Sequence, residues 1–329
     1  MVIYFVVKFS AKALLKAAEE GDVESLNEIV SESASVEYTA RNTVATVDTL
    51  SWMSKTDKKG RTALHLAALY GHIYVVRNIW SKIIGSTKDM DLRKQYINIT
   101  DHKGRTPLFH AAAAGHNGVA QYLIDKKADL NICTNEIHGE PGSTALMKCA
   151  EKNGVDCFKL LLEKGANVQT MRKDGADALY LAARYGNHEI IKLMAATGKI
   201  QLIINRPSFH GRTALLTAAL HGHFQSCKEL YAHGADLDHQ DDDQFTSLIY
   251  ATNEGHLLLT KWLVQKGANV YIKDKYGGSA FDVALANDYT EIMNFLKEWQ
   301  DRLKNGRRGN ELMKAAVECS RIEHLIELK

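Results

Sequence analysis

Short apolar segments with one shared pattern recur along the chain. The segment at 59–72 reads KGRTALHLAALYGH, and those at 103–116 and 210–223 read KGRTPLFHAAAAGH and HGRTALLTAALHGH. Four further segments fit the same frame, at residues 142–154, 175–187, 244–256 and 277–289. Because a fixed pattern that returns every few dozen residues is the signature of a repeat architecture, we predict that the chain is built from stacked copies of one unit.

The residue types in this pattern favour pairs of helices. A threonine before the apolar run can cap a helix by accepting hydrogen bonds from free backbone N–H groups. The alanine pair that follows lets neighbouring helices approach closely, so that Ala183, for example, should be buried between helices. One unit cannot bury its apolar face alone, so stacking is obligatory. A left-handed glycine is predicted to end the first helix at Gly71, Gly115, Gly186, Gly222 and Gly255.

These segments resemble the ankyrin consensus T-P-L-H-x-A-A-x-x-G-H, which is followed by a second helix and a G-A-x-x turn. The turn is present at 165–167, 234–236 and 267–269, with a variant at 127–129. The resemblance covers most of residues 11–329. It implies an all-α fold, an ankyrin-repeat solenoid of helix-turn-helix units with β-hairpin or finger loops.

The spacing of the copies divides the chain into three parts. The first residue of each alanine pair, or its equivalent, falls at 17, 67, 111, 149, 182, 218, 251, 284 and 315. The later copies keep close to the ankyrin period of about 33 residues, whereas the earlier ones are separated by insertions within 31–56, 81–100 and 137–141. We predict N-terminal capping helices plus an irregular insertion at 1–56 and seven repeats at 57–299. Residues 300–329 then form a polar linker and the truncated start of a further repeat or a downstream domain.

Composition places the chain among soluble folded proteins, with 45% hydrophobic and 24% charged residues. A formal net charge of +2 without a long basic run does not favour a nucleic-acid partner. Five scattered cysteines without a CxxC pair predict free thiols in a reducing, cytoplasmic compartment. The apolar run at 2–9 is too short to span a membrane and lacks the leading charge of a signal peptide. We interpret it as an element packed on the first repeat.

The sequence offers little catalytic or metal-binding chemistry. HExxH, GxSxG and phosphate-loop motifs are absent, and seven of the fourteen histidines are explained by the repeat itself. Cys149 with His110 or His138 is the only thiol–imidazole pairing that adjacent repeats could form, and Cys149 should be buried and inert. Residues 236–243 resemble a calcium loop that lacks its glycine and closing glutamate. We predict no enzyme activity, no metal and no cofactor.

The resemblance implies that a partner protein lies on the concave face formed by the first helices and the loop fingers. The variable positions of each repeat are the residue before the alanine pair and the two residues after it. Aromatic and arginine side chains at such positions are typical interface anchors, although each residue could equally be an ordinary solvated one. The predicted partner-binding residues are Tyr70, His110, Lys148, Lys152, Arg184, Tyr185, His221, Tyr250, Asn253 and Glu254 on this face, and Arg105, Arg172 and Arg212 at the finger tips.

The finger tips also change sign along the chain. Arg105, Arg172 and Arg212 lie at or beside tips in the earlier repeats, and three aspartates follow at 241–243. A gradient from basic to acidic could orient a partner with the opposite gradient. Turn chemistry and solubility are the simpler explanation for each residue taken alone.

These observations favour a monomeric protein-binding scaffold in the cytoplasm. The alternative is the targeting module of a larger enzyme or bacterial effector whose catalytic part lies elsewhere. Ankyrin arrays with irregular insertions resemble effectors that intracellular bacteria deliver into host cells, which would place the protein in the host cytosol. A nucleic-acid or lipid-headgroup binder that uses the basic tips is a third interpretation.

Overall fold

A computed structural model describes residues 11–39, 51–135 and 142–304. Within these ranges the chain forms seventeen α-helices, three short 3-10 turns (Ser51–Ser54, Lys199–Leu202 and Phe209–Gly211) and no regular β-strand. The predicted all-α repeat architecture is confirmed. The α-helices are α1 (Ala11–Glu20), α2 (Val23–Thr39), α3 (Ala63–Leu69), α4 (Ile73–Ser86), α5 (Met90–Ile97), α6 (Pro107–Ala114), α7 (Asn117–Asp125), α8 (Ala145–Lys152), α9 (Val155–Glu163), α10 (Ala178–Arg184), α11 (His188–Ala196), α12 (Ala214–Leu220), α13 (Phe224–Ala232), α14 (Ser247–Asn253), α15 (Leu257–Gln265), α16 (Ala280–Ala286) and α17 (Thr290–Lys304).

The chain divides into two compact units, Met1–Lys173 and Asp174–Lys329. In the first unit, α1, α3, α6 and α8 pack on one another in order as a row of first helices, and the second helices α2, α4, α7 and α9 form a row of their own. In the second unit, α10, α12, α14 and α16 form the first-helix row. Within each unit, successive helix pairs therefore bury their apolar faces against one another, as a repeat stack requires.

The first helices begin and end on the residues that the sequence pattern assigns to those tasks. The Thr106 hydroxyl accepts a hydrogen bond from the backbone N–H of Phe109 at 3.1 Å, and the Asp177 carboxylate does the same for Tyr180 at 2.8 Å. Gly115, at the end of α6, adopts φ 77°. A left-handed residue at this position leads the chain directly into the second helix of the pair.

The alanine pairs form the seam between successive first helices. Ala17 is only 5% exposed, and the equivalent residues at 67, 111, 149, 182, 218, 251 and 284 are completely buried. Ala183 is also completely buried. The predicted register is therefore confirmed for eight copies; the ninth, at 315, lies outside the described residues.

The fingers are hydrogen-bonded turns rather than regular β-hairpins. In the finger before α6, Asp101 Oδ1 accepts hydrogen bonds from the backbone N–H groups of Lys103 and Arg105, both at 2.9 Å. Adjacent fingers are linked through their backbones, as in the 2.8 Å bond from the Asn135 N–H to the Lys103 carbonyl. The one β-bridge in the described part of the chain joins Lys273 and Ser279.

The predicted insertions lengthen the first unit. The region 81–100 extends α4 to Ser86 and adds α5, and Arg93 ties the two together by donating to the Ile84 carbonyl at 3.0 Å and the Thr87 carbonyl at 2.9 Å. The region 31–56 includes the end of α2 and a 3-10 turn. Residues 300–304, where the predicted polar linker begins, are the last residues of α17. The predictions for 2–9, 137–141 and 311–329 fall outside the described residues.

None of the helices in the described ranges is both long enough and apolar enough to cross a bilayer.

Candidate protein-binding surface

The residue before each alanine pair is buried in most repeats, contrary to the prediction that it faces a partner. His110 is 4% exposed and Tyr250 is 6% exposed, and Leu66, Leu181 and Thr217 are at least as well buried. Among the predicted partner-binding residues at this position, only Lys148 is partly exposed. His110 and Tyr250 are therefore not accessible to a partner, because their side chains point to the base of a finger and not to solvent.

His110 holds the finger that precedes its own helix. Its Nε2 donates to Asp101 Oδ2 at 3.0 Å, and Arg105 binds the same oxygen at 2.8 Å. Burial by itself would raise the pKa of the Asp101 carboxyl, but the hydrogen bond from His110 and the bonds from Arg105 outweigh it and hold the pKa well below its usual range. Asp101 is thus a buried, ionised carboxylate that organises the turn.

Tyr250 performs the equivalent task in the second unit. Its hydroxyl donates to Asp241 Oδ2 at 2.5 Å and accepts from Arg212 Nε at 3.0 Å. The Arg212 guanidinium also lies 5.4 Å from the centre of the Tyr250 ring. Burial and the carboxylate of Asp241 raise the pKa of Tyr250 well above its usual value, so the phenol remains protonated. The finger-tip residue Arg212 is therefore committed largely to contacts inside the protein.

The two positions after the alanine pair are partly or fully exposed, but most of their polar groups have partners within the protein. Tyr70 donates to Glu19 at 2.8 Å, and Asn253 donates to Glu254 at 2.9 Å. Lys148, before its pair, binds Glu151 at 2.7 Å, and the exposed Lys152 lies 3.9 Å from the same carboxylate. These residues are accessible, but a partner would compete with existing bonds.

Arg184, Tyr185 and His221 differ from the other predicted residues. All three are exposed, Tyr185 to 48%, at the C-terminal ends of the neighbouring helices α10 and α12. Within the described residues, the Arg184 guanidinium, the Tyr185 hydroxyl and the His221 ring nitrogens have no hydrogen-bond or ion-pair partner. We call these three residues the α10–α12 cluster.

Internal contacts hold this cluster in place. The Arg184 guanidinium lies 5.9 Å from the centre of the Tyr185 ring. The His223 ring lies 5.9 Å from that of His221, and its Nε2 donates to the Arg184 carbonyl at 3.0 Å. Partial burial, together with the electrostatic influence of the neighbouring His223 and Arg184, lowers the pKa of His221 below its ordinary value. His221 therefore presents a neutral imidazole at neutral pH.

The acidic stretch at 236–243 is largely used in turns. Asp236 Oδ1 accepts from the backbone N–H of Asp238 at 3.0 Å, and Asp238 Oδ1 accepts from the N–H of Asn269 at 2.8 Å. Asp243 forms an ion pair with Lys275 at 2.5 Å. No group of three or more His, Cys, Asp or Glu side chains within the described ranges could hold a metal ion. Turn formation is sufficient to explain these aspartates.

A family model described as "Ankyrin repeats (3 copies)" matches residues 6–132, 82–172, 146–241 and 227–307. The chain belongs to the ankyrin-repeat family. Stacks of ankyrin repeats generally mediate protein–protein interaction and are not themselves catalytic.

The ankyrin segments of several much longer proteins are similar to this chain. It is 28% identical over 167 residues to the transient receptor potential cation channel subfamily A member 1 homolog of Caenorhabditis elegans, which is 50% of this chain and 13% of that protein. It is 34% identical over 170 residues to NF-kappa-B inhibitor zeta of Homo sapiens, with 51% and 21% of the two chains covered. Palmitoyltransferase AKR1 of Lachancea kluyveri is 30% identical over 167 residues, with 50% and 22% covered.

The ankyrin pattern also accounts for the thiol that the sequence paired with a histidine. Cys149 fills an alanine-pair position, and its Sγ contacts the Ala112 carbonyl at 3.9 Å. The hydrogen bond with the Cys157 thiol and burial raise the pKa of Cys149 well above its usual value. Both features make it an unreactive core residue. His138, the other histidine considered for it, lies outside the described residues.

The structure gives the finger-tip arginines a different role from the one that the sequence predicted. Arg105 and Arg172 are half-buried, and Arg105 is bound to a carboxylate that the sequence did not single out, that of Asp101. The available signal was the repeated spacing of Asp57 to Arg61 and Asp101 to Arg105. In each pair the arginine binds the aspartate of its own turn. This argues against a row of free basic side chains along the finger tips.

Proposed function

We propose that this chain is a protein-binding scaffold whose partner lies across the exposed ends of the first helices and the adjoining finger loops, the concave face of the ankyrin stack. In the second unit, the α10–α12 cluster would be the centre of contact. The observation that carries this proposal is that Arg184, Tyr185 and His221 are exposed and lack polar partners among the described residues, whereas the other predicted anchors with described contacts are already paired.

The chemistry of the cluster suits a protein interface. Tyrosine and arginine bury a large area on binding and are enriched among the residues that dominate binding energy. Contacts with Arg184 and His223 restrict Tyr185 and His221 before a partner arrives, which reduces the entropy lost on binding. We further propose a cytoplasmic location, in keeping with Cys149, Cys157 and Cys227, which form no disulfide among the described residues.

A second proposal is that the chain is the targeting module of a larger enzyme or bacterial effector. It rests on length: the three relatives described above are covered over only 13%, 21% and 22% of their sequences. Sequencing the complete reading frame tests this proposal, because a catalytic domain in the same polypeptide would support it. A reading frame without one would rule it out.

The first proposal is tested with Tyr185→Ala and a matched control, Leu258→Ala. Leu258 is similarly exposed, at 45%, but lies on the second helix α15. With a partner isolated by affinity capture and then purified, calorimetry should give about tenfold weaker binding for Tyr185→Ala, the loss typical of an interface anchor. Leu258→Ala should bind like the unmodified chain, and circular dichroism should be the same for all three proteins.

Equal affinity of the unmodified chain and Tyr185→Ala would remove the cluster from the interface. Tyr250 is left out of this test because its buried hydroxyl holds Asp241, so that its loss would disturb the finger as well as any binding.

A further inference from the structure

We infer that the α10–α12 cluster binds an acidic segment of the partner, a short extended stretch with two carboxylates on one side. This inference rests on the proposed function and adds the chemistry of the partner to it. It stands on the charges around the cluster and on the spacing of the two helices. The nearby acids Glu254 and Asp242 bear on the choice between a short peptide and a nucleic acid.

Arg184 supplies the positive charge. The side chains that act electrostatically on His221 are those of His223, Arg184, Arg212 and the single acid Glu254. Arg212 is already paired with Asp241. Arg184 has no carboxylate partner within the described residues, so its guanidinium is free to bind one in the bidentate geometry that arginine prefers.

The spacing of donors defines the length of the segment. Packed helices lie about 8–10 Å apart, so Arg184 on α10 and His221 after α12 offer donors at roughly that separation. In an extended peptide, side chains two residues apart point to the same side and lie about 7 Å apart. The long arginine side chain makes up the difference. A Glu-x-Glu sequence therefore fits the cluster, with the Tyr185 hydroxyl as an additional donor beside the first carboxylate.

The neighbouring acids favour a short peptide over a nucleic acid. Glu254 lies on the next first helix, and the exposed Asp242 lies on a finger of the same unit. A continuous phosphate backbone would pass near these charges, whereas a short acidic segment needs to contact only α10 and α12. The net charge of +2 also gives no long-range attraction for a polyanion.

Binding should be linked to protonation of His221. In the free protein its pKa is lowered by partial burial and by the electrostatic influence of His223 and Arg184, so the ring is neutral near pH 7. A bound carboxylate favours the charged imidazolium and raises this pKa. By linkage, the affinity for an acidic segment should increase as the pH falls from 7.5 towards 5.5, a range in which glutamate remains ionised.

Fluorescence anisotropy with three labelled peptides tests the inference. The peptides have Glu-Leu-Glu, Gln-Leu-Gln or Lys-Leu-Lys at the centre of one Gly-Ser sequence. We expect the unmodified chain to bind the Glu peptide at least about fivefold more tightly than the Gln peptide, and the Lys peptide most weakly. Arg184→Gln should abolish this preference. Lys297→Gln, which removes one exposed positive charge from α17, should retain it.

A second readout follows His221 itself. The NMR titration of its Cε1–H signal should give a higher pKa in the presence of saturating Glu peptide, and His221→Gln should remove the pH dependence of binding. Equal affinities for the three peptides, no measurable binding of the Glu peptide, or equal losses in Arg184→Gln and Lys297→Gln would overturn the inference. So would tighter binding of an oligothymidylate that competes at the cluster.

The two proposals can fail separately. If a purified partner requires Tyr185 but binds Arg184→Gln and the unmodified chain equally well, the cluster is an interface without acidic selectivity. If the Glu peptide binds the cluster while the partner is indifferent to Tyr185→Ala, the acidic selectivity is real and the proposed scaffold interface lies elsewhere.

Discussion

Single residues decide which parts of each ankyrin repeat are available to a partner. In two repeats, the position before the alanine pair carries a buried polar side chain, His110 or Tyr250, that binds an aspartate at the base of a finger. The next two positions are partly or fully exposed. The sequence pattern treats all three positions as variable. Only the hydrogen bonds in the folded chain show which of these side chains are bound inside the protein and which can bind a partner.

The glycines that end the first helices can be compared at this scale. Gly71 and Gly115 have almost equal φ values, 79° and 77°. A Cβ added at Gly71 would lie 2.6 Å from His116 Nδ1, whereas nothing lies within 4 Å of one added at Gly115. The His116 ring would have to move and lose its 3.0 Å bond to the Leu69 carbonyl.

We therefore expect Gly115→Ala to cost about 1–2 kcal/mol, the strain of a left-handed alanine. Gly71→Ala should cost about 1–3 kcal/mol more, because it also disrupts the contact with the next repeat. Urea unfolding of the two variants measures the difference. Equal losses would mean that the histidine ring adjusts without cost.

His65 makes the stability of the first unit depend on pH. Its Nδ1 accepts from the Thr62 N–H at 3.1 Å and its Nε2 donates to the Arg105 carbonyl at 3.0 Å, so the ring is bound as the neutral form. Burial, with the charge of His110, lowers the pKa of His65 to about 4, against an ordinary value of 6.5. The unfolded chain therefore binds more protons below pH 6.5.

The stability gained from neutral His65 is complete above pH 6.5 and is lost as the pH falls towards 4. The shift corresponds to about 3 kcal/mol. Urea unfolding at pH 7, 5.5 and 4.5 should show this loss, and His65→Gln should show a shallower dependence. The exposed His102→Gln is the control and should keep the original slope. A slope unchanged by His65→Gln would contradict the assignment.

The sequence predicted the helices better than any other level of the structure. Alanine pairs, caps and closing glycines are local signals, and each helix begins or ends where these signals act through its own backbone. The insertion helix α5 was not predicted, since region 81–100 departs from the repeat pattern. Its place depends on the contacts of Arg93 with the end of α4, and these contacts exist only after folding.

Ala183→Asp tests the seam between helices. Ala183 is completely buried in α10, which packs on α11 and α12. An aspartate there would place an unpaired charge in an apolar seam and should cost several kcal/mol, of the order of 3–5. Since each repeat is stabilised mainly by its neighbours, the thermal transition should also broaden or split. Ala286→Asp, at the exposed end of α16, is the control and should melt nearly as the unmodified chain does.

At the scale of the whole molecule, composition and net charge limited the possible functions but did not identify a partner. A net charge of +2 and the absence of catalytic motifs are compatible with many binding proteins. Most of the charged residues predicted for the face and fingers turned out to be paired inside the protein, as with Arg105 and Asp101. Of the thirteen predicted partner-binding residues, those of the α10–α12 cluster are exposed and have no polar partner among the described residues.

The sequence by itself determined the repeat, its register and the boundaries of most helices. These depend on interactions between residues close together in the chain, and they recur in every copy. The tertiary structure decided which variable residues remain free, because that depends on side chains from the finger and from the neighbouring repeat. The sequence predicted both Arg184 and Arg212 as partner-binding residues. Only the fold places an aspartate and a tyrosine against Arg212 and leaves Arg184 in solvent.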